Sequence, residues 1–112
     1  MGTFYERISA YDPEQHVAAP IYFVTQYSAK KNPGFDDDDF QSSVAFAIDK
    51  AGLSMGDIAD TIRVSLPTVR RWKEGRNLPH PVIRPVTVKT LAQMLAGEDK
   101  DLQAFLKDAD TA

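Results

Sequence analysis

Cysteine is absent from the 112 residues. Disulfides, thiolate metal sites and thiol nucleophiles are therefore excluded. Histidine is scarce: His16 and His80 stand alone, with no carboxylate or nucleophile spaced to form a catalytic pair. No apolar run approaches the about 18 residues that a membrane span needs. The start of the chain lacks the charged-then-apolar pattern of a secretory signal. Glu6 stands where a myristoylation pattern needs Ser or Thr. These absences predict a cytoplasmic protein that is not an enzyme, with no catalytic residues, metal, cofactor or membrane partner.

What is present is an ordinary globular balance, with 43% hydrophobic and 26% charged residues. The net charge of -3 is unevenly spread. Residues 1–62 carry -6, residues 63–89 carry +6 and residues 90–112 carry -3. The basic segment holds Arg63, Arg70, Arg71, Lys73, Arg76, Arg84 and Lys89 against Glu74 alone. Such asymmetry is the footprint of a polyanion partner, or else a solvated basic face.

The segment from Asn32 to Phe35, with Pro33-Gly34 at its centre and four aspartates behind it, reads as a boundary. It divides an N-terminal extension, residues 1–37, from a helical domain, residues 38–109. Ile21 to Tyr27 is rich in β-branched and aromatic residues, which predicts a strand in the extension.

Beyond the boundary, five helices are expected. The first starts near Asp38 or Asp39, carries the stripe Phe40, Val44, Ala47, Ile48 and Ala51, and stops at Gly52. The second follows Ser54, which with Asp57 resembles a capping box, and buries Met55, Ile58, Ala59 and Ile62. Ser65 caps the third, which runs to about Glu74 with Pro67 in its first turn and Gly75 as its stop. Val69 and Trp72 form its inner face. The fourth begins near Pro85 with Val88, Leu91, Ala92 and Leu95 and ends at Gly97. The fifth, about 99–109, presents Leu102, Phe105 and Leu106.

The second and third helices are separated only by Arg63, Val64 and Ser65, a connection that forces a steep crossing. Met55 to Gly75 resembles the helix-turn-helix of the phage lambda repressor and Cro family of regulators, the XRE type. The ending Trp72-Lys73-Glu74-Gly75 is similar to the aromatic-x-x-Gly close of many members. The resemblance implies an all-α, five-helix lambda-repressor-like domain. It also implies a DNA-binding transcription regulator, a repressor by expectation, of phage or chromosomal bacterial origin. Two departures stand out. Arg63 occupies a turn position where members often carry Gly, and Met55 replaces a Gln that touches phosphate.

In this reading the outward face of helix 66–74 enters the major groove of double-stranded DNA. Arg70 and Arg71 are the expected base readers, each with phosphate contact as its alternative. Leu66 and Pro67 can pack on a thymine methyl, with Leu66 alternatively in the core. Thr68 either touches DNA or caps its own helix. Ser54, Lys73, Arg76 and Asn77 are the expected phosphate contacts. His80 reads as a loop residue, and Arg84 and Lys89 are weaker phosphate candidates.

A homodimer on a two-fold site is expected, through Leu102, Phe105 and Leu106 or through the N-terminal segment. Residues 1–37 hold seven of the eleven aromatics. They pack on the core, build the dimer or bind a protein partner. The last would make the chain the antitoxin of a toxin–antitoxin pair.

Overall fold

The computed structural model describes residues 3–30, 32 and 34–111, with side chains to residue 108; Pro33 of the expected turn lies outside them. Seven helices are found among the described residues: α1 (Phe4–Ser9), α2 (Ala19–Ala29), α3 (Asp37–Asp49), α4 (Met55–Ile62), α5 (Leu66–Lys73), α6 (Arg84–Ala96) and α7 (Lys100–Thr111). No strand occurs among those residues, so the protein is all-α.

The strand expected at Ile21–Tyr27 is therefore corrected to a helix, α2. Its composition favours β structure, but its apolar spacing does not. Ala19, Tyr22 and Phe23 are buried and Tyr27 is half-buried, which is the spacing of one helical face. Phe23 and Val24 are both fully enclosed. Neighbouring residues of a strand would point to opposite sides. Pro20 sits in the first turn, where its missing N–H costs nothing.

α2 packs against α6 and α7 and also meets α1 and α3. α1 is tied to it by polar contacts: the Tyr22 hydroxyl donates to the Arg7 carbonyl at 2.8 Å, and Arg7 Nε donates to Gln26 Oε1 at 2.6 Å. Rings fill the space between these helices. Phe4 meets Phe35 edge-on at 5.5 Å, and Phe46 lies 5.8 Å from Phe23 and 5.1 Å from Tyr11. A single apolar cluster runs from Phe4 to Leu106. Leu102 and Leu106 belong to it, whereas Phe105 is half exposed.

The aspartates at the start of α3 have separate tasks. Asp36 caps α3 by accepting from the Asp39 amide. Asp37 pairs at 2.8 Å with Arg84, whose side chain is 8% exposed. Arg84 also donates to the Pro79 and Phe35 carbonyls, which fastens the loop before α6 to the start of α3. Asp39 is buried and accepts from the Tyr5 amide at 3.0 Å, so it caps α1 across 34 residues of chain. Burial, reinforced by Asp36, raises the Asp39 carboxyl above its usual 3.8. Burial likewise lowers the nearby Lys30 ammonium, against the pull of Asp39 and Asp36.

Phe23→Ala should cost about 3–5 kcal/mol in urea unfolding, the range for truncating an enclosed aromatic ring. A loss below about 1 kcal/mol would contradict the central place of α2. Asp39 has a folded-state pKa above its unfolded value, so its contribution is full in acid and is lost as pH rises through the folded pKa. Asp39→Asn keeps the acceptor for Tyr5 and removes the titration. The variant should match the parent in acid and exceed it in stability toward neutral pH. Parallel pH profiles would contradict this.

Candidate functional site

The site is built from α4, α5 and the turn between them. Ser54 caps α4 by accepting from the Asp57 amide at 3.1 Å. Ile58 and Ala59 are the buried face of α4. The helix ends at Arg63, whose φ of 66° and ψ of 51° are left-handed. The Arg63 and Val64 amides both donate to the Ala59 carbonyl, at 2.8 and 3.0 Å. The turn position where the resemblance places glycine thus adopts the conformation that glycine favours, with an arginine in it. The chain then re-enters helix at once, because Ser65 caps α5 through the Thr68 amide at 3.2 Å.

α5 is held from below. Val69 is fully enclosed and Trp72 is 5% exposed. The Trp72 ring meets Phe40 of α3 edge-on at 5.4 Å. The helix stops at Gly75, φ 79°, where the Gly75 amide reaches the Trp72 carbonyl and the Arg76 amide reaches the Arg71 carbonyl at 2.7 Å. That is the Schellman pattern, which satisfies the last carbonyls.

With Val69 and Trp72 turned inward, Leu66, Pro67 and Arg70 are exposed. Arg71 differs from its expected outward position, being half-buried. Its Nη2 reaches back to the Thr68 hydroxyl at 3.4 Å and its Nε is enclosed without a hydrogen-bond partner. Long helical side chains lean toward the preceding turn, which explains the direction. Thr68 is engaged on its own helix as well, its hydroxyl lying 2.7 Å from the Ser65 hydroxyl.

The expected phosphate contacts are spread around this face. Ser54 is exposed, and its hydroxyl proton remains available beside the α4 amides. Arg76 is exposed and pairs with Glu74, whose carboxyl is held below its usual value first by that hydrogen bond. Asn77 is exposed with φ 48°. Lys73 pairs with Asp49 of α3 at 3.0 Å, and Gln41 of α3 donates to the Lys73 carbonyl at 2.7 Å. Arg84 is withdrawn from the surface altogether. Leu66, Pro67, Arg70, Arg71, Arg76 and Asn77 therefore lie on or just beyond one eight-residue helix, while Ser54 lies at the far end of the preceding one. Sequence reasoning missed Gln41 and Asp49, which hold the end of α5 from 32 and 24 residues away. No local signal announces such contacts.

Comparison with protein-family models, curated proteins and solved structures finds no match to this chain.

Arg63 offers a direct test of the turn. A side chain in left-handed backbone costs about 1–2 kcal/mol, partly offset by glycine's greater freedom when unfolded. Arg63→Gly should therefore stabilise the protein by up to about 1 kcal/mol in chemical denaturation. Asn77→Gly should change stability less, since asparagine tolerates this conformation. A loss of stability in Arg63→Gly would contradict the turn geometry.

Proposed function

We propose that the chain is a sequence-specific DNA-binding transcription regulator, acting as a repressor, with α5 as its reading helix. One observation carries the reading. Two eight-residue helices are joined through a left-handed residue, and the second turns an apolar face inward while Leu66, Pro67 and Arg70 face solvent beside Arg76 and Asn77. A short helix so mounted fits the major groove, which is wide enough for one α-helix. α4 itself presents exposed Asp57 and Asp60. Attraction to phosphate therefore rests on α5 and the loop after it, with Ser54 as a neutral contact.

Arg70 is the strongest base reader, since its guanidinium is solvent-facing and can pair with guanine O6 and N7. Arg71 reads from a position set by Thr68. Leu66 and Pro67 contribute apolar contact with a thymine methyl. A helix of this length spans about 12 Å, only some three or four base pairs. Two copies on a two-fold site are therefore part of the proposal. A partner-binding role for residues 1–37 has less to draw on, because Phe4, Tyr22, Phe23 and Phe35 are buried in this chain's own core.

Selection of bound duplexes from random DNA tests the proposal. A two-fold motif should emerge, with half-sites about one helical turn apart. Arg70→Ala should relax one position of each half-site by about 1–3 kcal/mol of discrimination. Arg76→Ala should weaken all sequences alike and reduce the slope of log K against log salt by about 0.9. Absence of any enriched sequence would overturn the proposal.

A further inference from the structure

A groove of about 300 Å³ lies between α1 and α3. α1 runs alongside α3. Its first turn meets the start of α3 through the Tyr5 amide and Asp39, and its end brings the Tyr11 ring to Phe46. Tyr5, Tyr11 and Phe46 give the groove aromatic walls. Asp49 and Lys50, adjacent at the end of α3 and both exposed, give it one carboxylate and one ammonium. Gln41 lies toward its other end.

Gln41 and Asp49 are also the two residues that hold Lys73 at the end of α5. The Gln41 side chain further lies 3.4 Å from where a Cβ on Gly75 would stand. The wall of the groove is thus the seat of the proposed reading helix. The ion pair of Asp49 with Lys73 is half exposed, and pairs of that kind are weak enough for a ligand charge to displace.

We infer that this groove is an effector site for a small aromatic zwitterion, an aromatic α-amino acid in chemical class, and that its occupation releases Lys73 from Asp49. The ligand's ring lies against Tyr5 and Tyr11, above the buried Phe46, its ammonium on Asp49 and its carboxylate on Lys50. The volume is at the lower end for small-molecule sites and suits a ligand of this size. An amine alone would meet Lys50 as a like charge, and an acid alone would meet Asp49, so the paired charges select the zwitterion. Released Lys73 can turn to a DNA phosphate, which makes the ligand a co-repressor; this last step rests on the DNA-binding function proposed above.

Titration of the ¹⁵N-labelled full chain, without DNA, separates the two claims. The probes are L-phenylalanine, phenethylamine and 3-phenylpropanoate. L-Phenylalanine should shift the Tyr11, Phe46 and Lys50 amides saturably, and the Lys73 and Gly75 amides with the same midpoint. Each single-charge probe should bind about two- to fivefold more weakly, the range for one exposed ion pair. Asp49→Asn, a change at an exposed position, should weaken L-phenylalanine by a similar factor while moving the Lys73 amide on its own. No saturable shift with any probe would overturn the site, and equal binding of all three would overturn the ligand class. Groove shifts that leave Lys73 and Gly75 unmoved would overturn the coupling. If the α5 end moves as expected and no duplex is ever bound, the groove stands and the DNA-binding proposal fails.

Discussion

Trp72 packs edge-on against Phe40, and beside it Val69 is sealed from solvent. These two inward residues, three apart on α5, decide which side of the helix faces out. α5 is too short to be stable alone; isolated helices of eight residues do not persist in water. Its shape is borrowed from the seat. The seat in turn is α3, positioned by Phe40, Val44 and Ala47 in the common core. Burial at one face therefore produces the solvent-facing row of Leu66, Pro67 and Arg70 at the other.

Charge is sorted by the same packing. Seven cations crowd residues 63–89, yet they do not act as one patch. Arg84 is consumed inside, between Asp37 and two carbonyls, with its guanidinium over the Phe40 ring at 5.9 Å. Lys73 leans on Asp49 and Arg76 on Glu74. Arg71 lies back on Thr68. The acidic run at the start of α3 is equally divided, with Asp36 as a cap, Asp37 as an ion-pair partner and Asp39 as an acceptor for α1. A charge sum along the chain treats all of these groups as solvated, which is why it overstates the basic face.

The helices from α3 onward were legible because their ends carry chemical marks. Ser54 and Ser65 each bind the amide three residues on, and Gly52, Gly75 and Gly97 each sit at positive φ where a helix stops. α2 was misread because aromatic and β-branched composition outvoted the spacing of Ala19, Tyr22, Phe23 and Tyr27. α1 was missed, although Thr3 caps it through the Glu6 amide in the Thr-x-x-Glu pattern. At the site, the inward pair Val69 and Trp72 and the outward Pro67 and Glu74 were readable from helical periodicity, which set Arg70 to one side and Arg71 outermost. The retreat of Arg71 onto Thr68, three residues back, is a local lean of the side chain that the burial period does not describe. The withdrawal of Arg84 and the grip of Gln41 and Asp49 on Lys73 depend on neighbours distant in sequence, and a period of 3.6 residues carries no information about them.

The central claim is that the outward face of α5 is a DNA-contacting surface. Amide and side-chain NMR of the labelled chain, titrated at low salt with a short random-sequence duplex, tests it most directly. The account predicts that shifts and broadening concentrate on residues 66–77 with the Arg70 and Arg76 side chains, and fade as salt is raised. Shifts confined to α1, α2 or α7, or no perturbation at low salt, would contradict it.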